Sequence, residues 1–383
     1  MKVCLNAIFF NPGQMGGTET YFRELARHLP LVSHDDSFTV LTTLDCRGEF
    51  AGLDGISVAS IAGYERPIPR KLLHRAVRRL LSFDPYTSGL ANQQSDVIHY
   101  PFTIIDPPVF DRPTILTFWD MQHEFHPEFF SRKELRFRAR TFKKSAQLAT
   151  RIIVSAQFTK QCLVERYSVD ANKIDVVYTG FSPIFHVIED NAALDRVRTL
   201  YGIDRPFMFY PAATWPHKNH AVLLDALKLL RDRWGYDGML VLSGIAMKSQ
   251  SDVMQKIETL GLANSVKILG QVPFADLPSL YNAARLLIFP SLFEGFGIPL
   301  VEAMACGCPV AAADCTTIPE IVGNAGRLFA PASAEDMAAA IWGVWNDDDA
   351  LSTMRARGLN RANAFSWGET ARNTLAVYHT AMH

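Results

Sequence analysis

The sequence has little of what would mark an exported, metal-bound or nucleic-acid-binding chain. Its six cysteines, at 4, 46, 162, 306, 308 and 315, never fall at the spacing of a zinc knuckle or a CxxC redox site, and Cys306-Gly307-Cys308 is one residue too tight. That scatter implies buried free thiols in a reducing compartment. Net charge is nearly absent: 38 basic against 39 acidic side chains leave −1, so any basic surface must be local. No apolar run approaches the roughly 18 residues needed to span a bilayer. "MKVCLNAIFFNPG" begins with a charge and an apolar run, but Asn6 interrupts it, no small-residue cleavage site follows, and Pro12-Gly13 close it at strand length. It reads as a first buried strand, not a signal peptide, and the expected location is the cytoplasm. The only acidic cluster of Asp-x-Asp form, Asp347-Asp348-Asp349, follows a helical pattern and suits a cap on the next helix; no metal is expected.

What is present is length and alternation. With 383 residues and 48% hydrophobic content, two domains are the better prior. Short apolar runs alternate with helical patterns throughout, as in parallel α/β units. After the first strand, "GGTETYFRELARHL" places Phe22, Leu25, Ala26 and Leu29 on one helical face. "FTVLTTL", "DVIHYP", "PTILTF" and "RIIVSA" continue one strand series; "FMFYPAA", "GMLVLSG", "SVKILG", "RLLIFPS", "PVAAAD" and "GRLFAP" form a second. Between them "TGFSPIFHVIEDNAALD" suits a linker. The expectation is an N-terminal Rossmann-like domain over 1–183, a C-terminal Rossmann-like domain over 184–364, and a final helix over 365–383, with Ala371, Leu375 and Tyr378 on one face, returning to the first. Two such sheets facing a central cleft would collect ligands at strand carboxyl ends.

"PSLFEGFGIPLVEAMACGCP", residues 290–309, puts Glu294 and Glu302 around a Gly295-Phe296-Gly297 turn before a helix. Helix starts attract anions, so two carboxylates there call for a reason. A carboxylate accepts hydrogen bonds from a vicinal diol, which suits Glu302 to a ribose and Glu294 to a sugar. Read alone, the pair is equally a helix cap and a solvated loop acid. Lys218 in "PAATWPHKNHAVLLDAL" is, alone, a basic residue at a helix start, and Gly16-Gly17 in "PGQMGGTET" is a flexible loop or a close-approach site for a phosphate or hydroxyl.

The frame "PSLFEGFGIPLVEAMACGCPVAAAD" closely resembles the signature of the retaining glycosyltransferases of family four, and the likeness extends from "GQMGGTETYFRELA" to "FSWGETA". The resemblance implies the GT-B fold, an α/β architecture of two Rossmann-like parallel-sheet domains facing a central cleft. It implies that Glu294 contacts the transferred sugar, that Phe296, Gly297 and Ile298 lie against the donor with backbone N–H groups nearby, and that Glu302 binds the nucleotide ribose. Lys218 matches the family lysine that neutralises the donor diphosphate, and Gly16 and Gly17 match a ligand-contacting loop. In "TFWDMQHEFHPEFFS", Asp120 and His123 are candidates to orient the acceptor or donor sugar, or are structural hydrogen-bonding groups. Two departures stand out. Many relatives carry histidine where Trp119 stands, and arginine where Ala212 stands; His217, next to Lys218, is the candidate to compensate, or a simple polar residue beside a turn.

The function implied is transfer of a mannose- or glucose-type hexose from a GDP- or UDP-linked donor to a saccharide or glycolipid acceptor in surface polysaccharide synthesis, with no cofactor and no metal. The alternatives are a non-catalytic sugar-nucleotide-binding subunit and another two-Rossmann enzyme, such as a sugar-nucleotide epimerase. Two basic stretches, "RPIPRKLLHRAVRRLL" and "RKELRFRARTFKK", suit either solvated helix faces or peripheral contact at the inner membrane face. Nucleic acid is not expected, because aromatic stacking platforms are not evident.

Overall fold

The computed structural model describes residues 1–61 and 89–382; the first basic stretch, at 66–81, lies outside them. The chain divides into two compact units: unit 1, Met1–Gly180 with Ser366–His383, and unit 2, Phe181–Phe365.

Unit 1 is built on seven strands, β1 (Lys2–Asn6), β2 (Ser37–Thr43), β3 (Ile56–Ile61), β4 (Val97–Tyr100), β5 (Thr114–Phe118), β6 (Arg151–Val154) and β7 (Ile174–Val176), in the order β3-β2-β1-β4-β5-β6-β7. Every pairing is parallel. β4 and β5 are buried along their whole length, which is why they read as continuous apolar runs instead of alternating ones. The Gly17–Val32 helix covers one face with Tyr21, Phe22, Leu25, Ala26 and Leu29 buried, each large apolar side chain contributing about 1.5–3 kcal/mol. The Trp367–Ala381 helix packs beside it. Ser366 caps that helix by accepting the Glu369 N–H at 3.2 Å, and Thr370 donates its hydroxyl to Tyr178 O at 2.8 Å. Its buried face is Trp367, Thr370, Ala371, Thr374, Val377 and Tyr378. The 3.6-residue period thus admits Ala371 and Tyr378 and leaves Leu375 half-buried at the edge.

Unit 2 repeats the plan with six strands: β8 (Phe207–Pro211), β9 (Met239–Ser243), β10 (Val266–Ile268), β11 (Leu286–Phe289), β12 (Val310–Ala313) and β13 (Gly326–Phe329), ordered β10-β9-β8-β11-β12-β13 and all parallel. In both sheets the chain runs outward in one direction from the first strand and then restarts beside it in the other. The switch points therefore lie between β1 and β4 and between β8 and β11, where the loops after the two strands diverge. The polar segment after Phe181 is anchored to unit 2: Ile188 donates its N–H to Asn282 Oδ1 at 2.8 Å, and the Phe185 ring is 5.8 Å from that of Tyr281. Among the described residues no helix is long and apolar enough to cross a membrane.

Candidate functional site

The switch point of unit 2 brings together residues 76 apart in sequence: Lys218 Nζ lies 2.6 Å from Glu294 Oε1. Lys218 closes the loop after β8, and Glu294 sits in the loop after β11. Both side chains are mostly buried, at 18% and 12% exposure, so the pair is shielded more than a surface ion pair.

Local geometry explains how two loops hold that contact. Asn219 adopts a left-handed backbone, φ 60° and ψ 32°, which asparagine tolerates better than most residues and which ends the short 3-10 turn Pro216–Lys218. Its buried amide donates to Pro290 O at 3.0 Å and Pro331 O at 2.8 Å, pinning the Lys218 loop to the chain that follows β11 and β13. Tyr210, buried in β8, donates its hydroxyl to Lys218 O at 2.8 Å, and Leu292 donates its N–H to His217 O at 2.8 Å. The acidic loop is fixed by a threonine pair. Thr316 Oγ1 accepts the Glu294 N–H at 3.3 Å, and Thr317 donates to both Glu294 O and Phe296 O at 3.2 Å. Asn219, Tyr210, Thr316 and Thr317 were not among the residues singled out from sequence. Only the asparagine at a helix start carried a local signal.

The Ile298–Ala305 helix begins at Gly297, whose φ of 99° requires glycine, with Pro299 in its first turn. Phe296 is buried with its ring against Phe365, 5.7 Å between centroids. Glu302, mid-helix and half-buried, accepts the Tyr281 hydroxyl at 3.0 Å. Burial raises its carboxyl to about 7, with the Tyr281 hydrogen bond opposing the rise. The two glutamates thus answer to different partners, Glu294 to a cation and Glu302 to a buried phenol. Ala212 is buried, its N–H bonded to Ser243 O at 2.7 Å, and the basic side chains of the 212–219 loop are His217 and Lys218 alone.

In unit 1 the expected residues do not form one cluster. Gly16, with φ 56°, precedes the Gly17–Val32 helix, but the carboxylate of Glu19 already lies at that helix start, accepting the Gly13 N–H at 2.7 Å and pairing with Arg23 at 3.0 Å. Asp120 caps a turn, accepting the Gln122 N–H at 3.0 Å, and lines a small cavity of about 190 Å³ with Thr18, Trp119 and Arg138. His123 is not in that lining. It is buried, its Nε2 is 3.1 Å from the Tyr167 hydroxyl, its ring stands edge-on to Phe142, and burial lowers its pKa. A larger cavity, about 450 Å³, lies at the switch point between the ends of β1 and β4.

Comparison with known proteins agrees with this architecture. Residues 195–361 match the family described as Glycosyl transferases group 1, and residues 15–183 match Glycosyltransferase Family 4. The chain is 29% identical over 264 residues to the O-antigen chain mannosyltransferase B of Escherichia coli, covering 69% of each. It is 29% identical over 231 residues to the serotype-specific mannosyltransferase WbdA of the same species, where it spans 58% of this chain but only 28% of that one. Among solved structures, Anabaena Alr3699/HepE in complex with UDP and glucose superposes with a TM-score of 0.74 at 21% identity, over 99% of this chain and all of that one. At that identity the likeness is one of fold.

Proposed function

We propose a function on one premise: the chain belongs to the group 1, family 4 glycosyltransferases. Unit 2 binds a nucleoside-diphosphate sugar, and the chain moves its mannose- or glucose-type hexose to a saccharide or glycolipid acceptor, with retention at the anomeric carbon, in surface polysaccharide synthesis. The observation that carries this reading is the Lys218–Glu294 contact at the switch point, 2.6 Å across.

In the proposed reaction the bond from C1 to the diphosphate oxygen breaks, and a bond from C1 to the acceptor oxygen forms on the same face. The acceptor proton passes to the departing phosphate oxygen. Negative charge grows on the diphosphate as it leaves, and a fixed cation beside it stabilises that change more than it stabilises the ground state. Lys218 is that cation. Glu294 holds the ammonium in place before the donor arrives and then accepts from sugar hydroxyls. Glu302 accepts from the ribose diol, a task for which its ionised form is the better acceptor. The Phe296–Ile298 segment adds main-chain groups and the start of a helix dipole. This mechanism needs no metal and no cofactor. Acceptor binding falls to unit 1.

A thermal-shift panel of GDP, UDP and their mannose and glucose derivatives tests the donor. A ligand at about 100 times its Kd adds about 2.7 kcal/mol to the unit that binds it. Glu294→Gln and Lys218→Ala should bind nucleotide yet lose transfer. Normal transfer by both variants would overturn the assignment, as would a panel in which no nucleoside diphosphate raises the Tm.

A further inference from the structure

Among the described residues, four that are not glycine adopt a left-handed backbone: Thr103, Ser168, Asn219 and Thr316. Two of the four serve the two members of the charged pair at the switch point of unit 2. Asn219 directly follows Lys218, and Thr316 Oγ1 accepts the Glu294 N–H at 3.3 Å. Asparagine tolerates that conformation; a β-branched threonine, here at φ 54°, keeps it only where its surroundings impose it. The surroundings in question are the acidic loop. β11 and β12 pair in parallel, with Phe289 opposite Ala312, so the chain leaves both strands side by side. Three consecutive side chains after β12 then bond the segment after β11. Cys315 donates its thiol to Ser291 O at 3.3 Å and Leu292 O at 3.4 Å, Thr316 accepts from Glu294, and Thr317 donates to Glu294 O and Phe296 O at 3.2 Å. Burial pushes the Cys315 thiol up to about 11, so it remains a protonated donor at neutral pH. Successive side chains of an extended segment would point to opposite sides. The left-handed turn at Thr316 breaks that alternation, and all three address one loop.

We infer that Thr316 is a positioning residue for the transfer step: its strained turn and its hydroxyl fix the main chain of Glu294, and so aim the carboxylate that meets Lys218. The bond is made to the amide of Glu294, the root of a side chain whose Oε1 lies 2.6 Å from Lys218 Nζ. Without it, Cys315 and Thr317 still tether Ser291, Leu292 and Phe296. The loop then stays folded but loses its aim, which separates the cost to catalysis from the cost to stability. The inference rests on the glycosyltransferase reading above and goes beyond it, giving the reaction a residue that acts through Glu294 and not on the sugar.

Thr316→Ser, Thr316→Val and Thr316→Gly in the full chain test it. Two quantities are read: the Tm, and the rate at which GDP-mannose or UDP-glucose releases nucleoside diphosphate, to water alone and to methyl mannoside. Serine keeps the acceptor oxygen and should keep kcat within about threefold of the parent. Valine keeps the branched shape but offers no acceptor, so kcat should fall about tenfold or more while KM for the donor stays within about threefold. Glycine also lacks the hydroxyl but adopts the left-handed backbone without strain. Its Tm should therefore equal or exceed that of Thr316→Val while its kcat falls at least as far, and it carries the test if Thr316→Val does not fold. A merely structural threonine predicts the opposite ordering, with the more stable glycine variant also the more active. That ordering overturns the inference, as does a normal kcat in Thr316→Val. Glu294→Gln in the same assay separates the two readings. Loss of turnover in Glu294→Gln beside normal turnover in Thr316→Val removes this inference alone. Normal turnover in Glu294→Gln, or a parent chain that releases nucleoside diphosphate from neither donor, overturns the reading beneath it and this inference as well.

Discussion

The two units share a plan and differ in what they set at its switch point. In unit 2 the loops after β8 and β11 present an ammonium and a carboxylate 2.6 Å apart, cross-braced by Asn219 and by Thr316 and Thr317. In unit 1 the loops after β1 and β4 enclose an apolar space. The nearby polar core there is a neutral chain, with His99 bonded at 2.7 Å to both the Tyr378 hydroxyl and Thr117 Oγ1, and Thr117 in turn 3.2 Å from the Tyr21 hydroxyl. Strand order decides where a parallel sheet can hold a ligand, and the loops decide which charge develops or is shielded there. A braced ion pair suits a step in which charge moves. An apolar pocket with cations on one wall suits recognition of something that does not change during that step.

The sharpest way to break the contrast is to remove the cations beside each switch point. Lys218→Ala should lower kcat about 10²–10³-fold, the usual loss for a preorganised group aimed at developing charge, while near-native melting shows that the unit still folds. The Arg140→Gln, Lys144→Gln double variant, in the cavity at the other switch point, should instead raise KM for the acceptor and leave kcat near that of the parent. Steady-state kinetics with donor and acceptor varied separately reads both. If Lys218→Ala altered only KM, the ion pair would be a binding device like its counterpart in unit 1, and the difference drawn between the switch points would collapse.

How much of this was legible in the sequence follows from the range of each interaction. Parallel strands buried on both faces declare themselves as apolar runs, so β1, β2, β4, β5 and β6, the six strands of unit 2 and the Gly17–Val32 helix face could be read from adjacent letters, while the partly buried edge strands β3 and β7 could not. The 290–309 frame marked the acidic loop and helix start, because its glycine and proline signals are local. The contact between Lys218 and Glu294 could not be read that way, since it depends on β8 and β11 becoming neighbours although β9 and β10 intervene in the chain. The role of Asn219 is hidden from a local reading for the same reason, its acceptors being carbonyls 71 and 112 residues away. His123 and Asp120 looked alike as polar residues after a strand. The four-residue helix Gln122–Phe125 then turns His123 into the packing against Phe142 and Tyr167 and leaves Asp120 at a cavity.

Acidity offers a second way to sharpen the comparison, because the two units carry buried groups that titrate with opposite sign. Glu302 in unit 2 is raised by burial from 4.5 to about 7, so the folded chain holds its proton more tightly than the unfolded one. The stability it contributes is full below about 4.5 and fades as pH rises to about 7, by at most about 3 kcal/mol. His99 in unit 1 is lowered by burial from 6.5 to about 3. Its contribution is full above 6.5 and is lost as pH falls toward 3. Across 4.5 to 6.5 the two slopes oppose each other, so in urea unfolding between pH 4 and 8 the parent chain should change little there, whereas Glu302→Gln should show the rise set by His99 up to 6.5. A slope through 4.5 to 7 that Glu302→Gln leaves untouched would show that Glu302 is ionised throughout, and the proton-held acid in unit 2 would have to be given up.

The smallest effects should come from two glycines that each precede the helix after a switch-point strand, Gly16 after β1 and Gly297 after β11. Gly16 and Gly297 have φ of 56° and 99°, so alanine at either position is strained by about 1–2 kcal/mol. Their surroundings differ. A Cβ on Gly16 meets nothing within 4 Å, whereas one on Gly297 comes within 2.9 Å of Leu300 Cδ1. Leu300 belongs to the buried core of its helix, and its displacement would shift the turn that carries Glu294. Gly16→Ala should therefore lower the Tm by a few degrees and leave transfer within a few-fold of the parent. Gly297→Ala should lower the Tm by a similar amount but reduce kcat by about tenfold, since an error of about 1 Å in a positioning group is enough to cost catalysis. Equal kinetic losses from the two would mean that the helix start in unit 1 takes part in the reaction as directly as the one in unit 2. The Glu19 carboxylate, which accepts the Gly13 N–H at 2.7 Å beside that start, would then have to move aside for a ligand, and Glu19→Gln should in that case strengthen the ligand's binding.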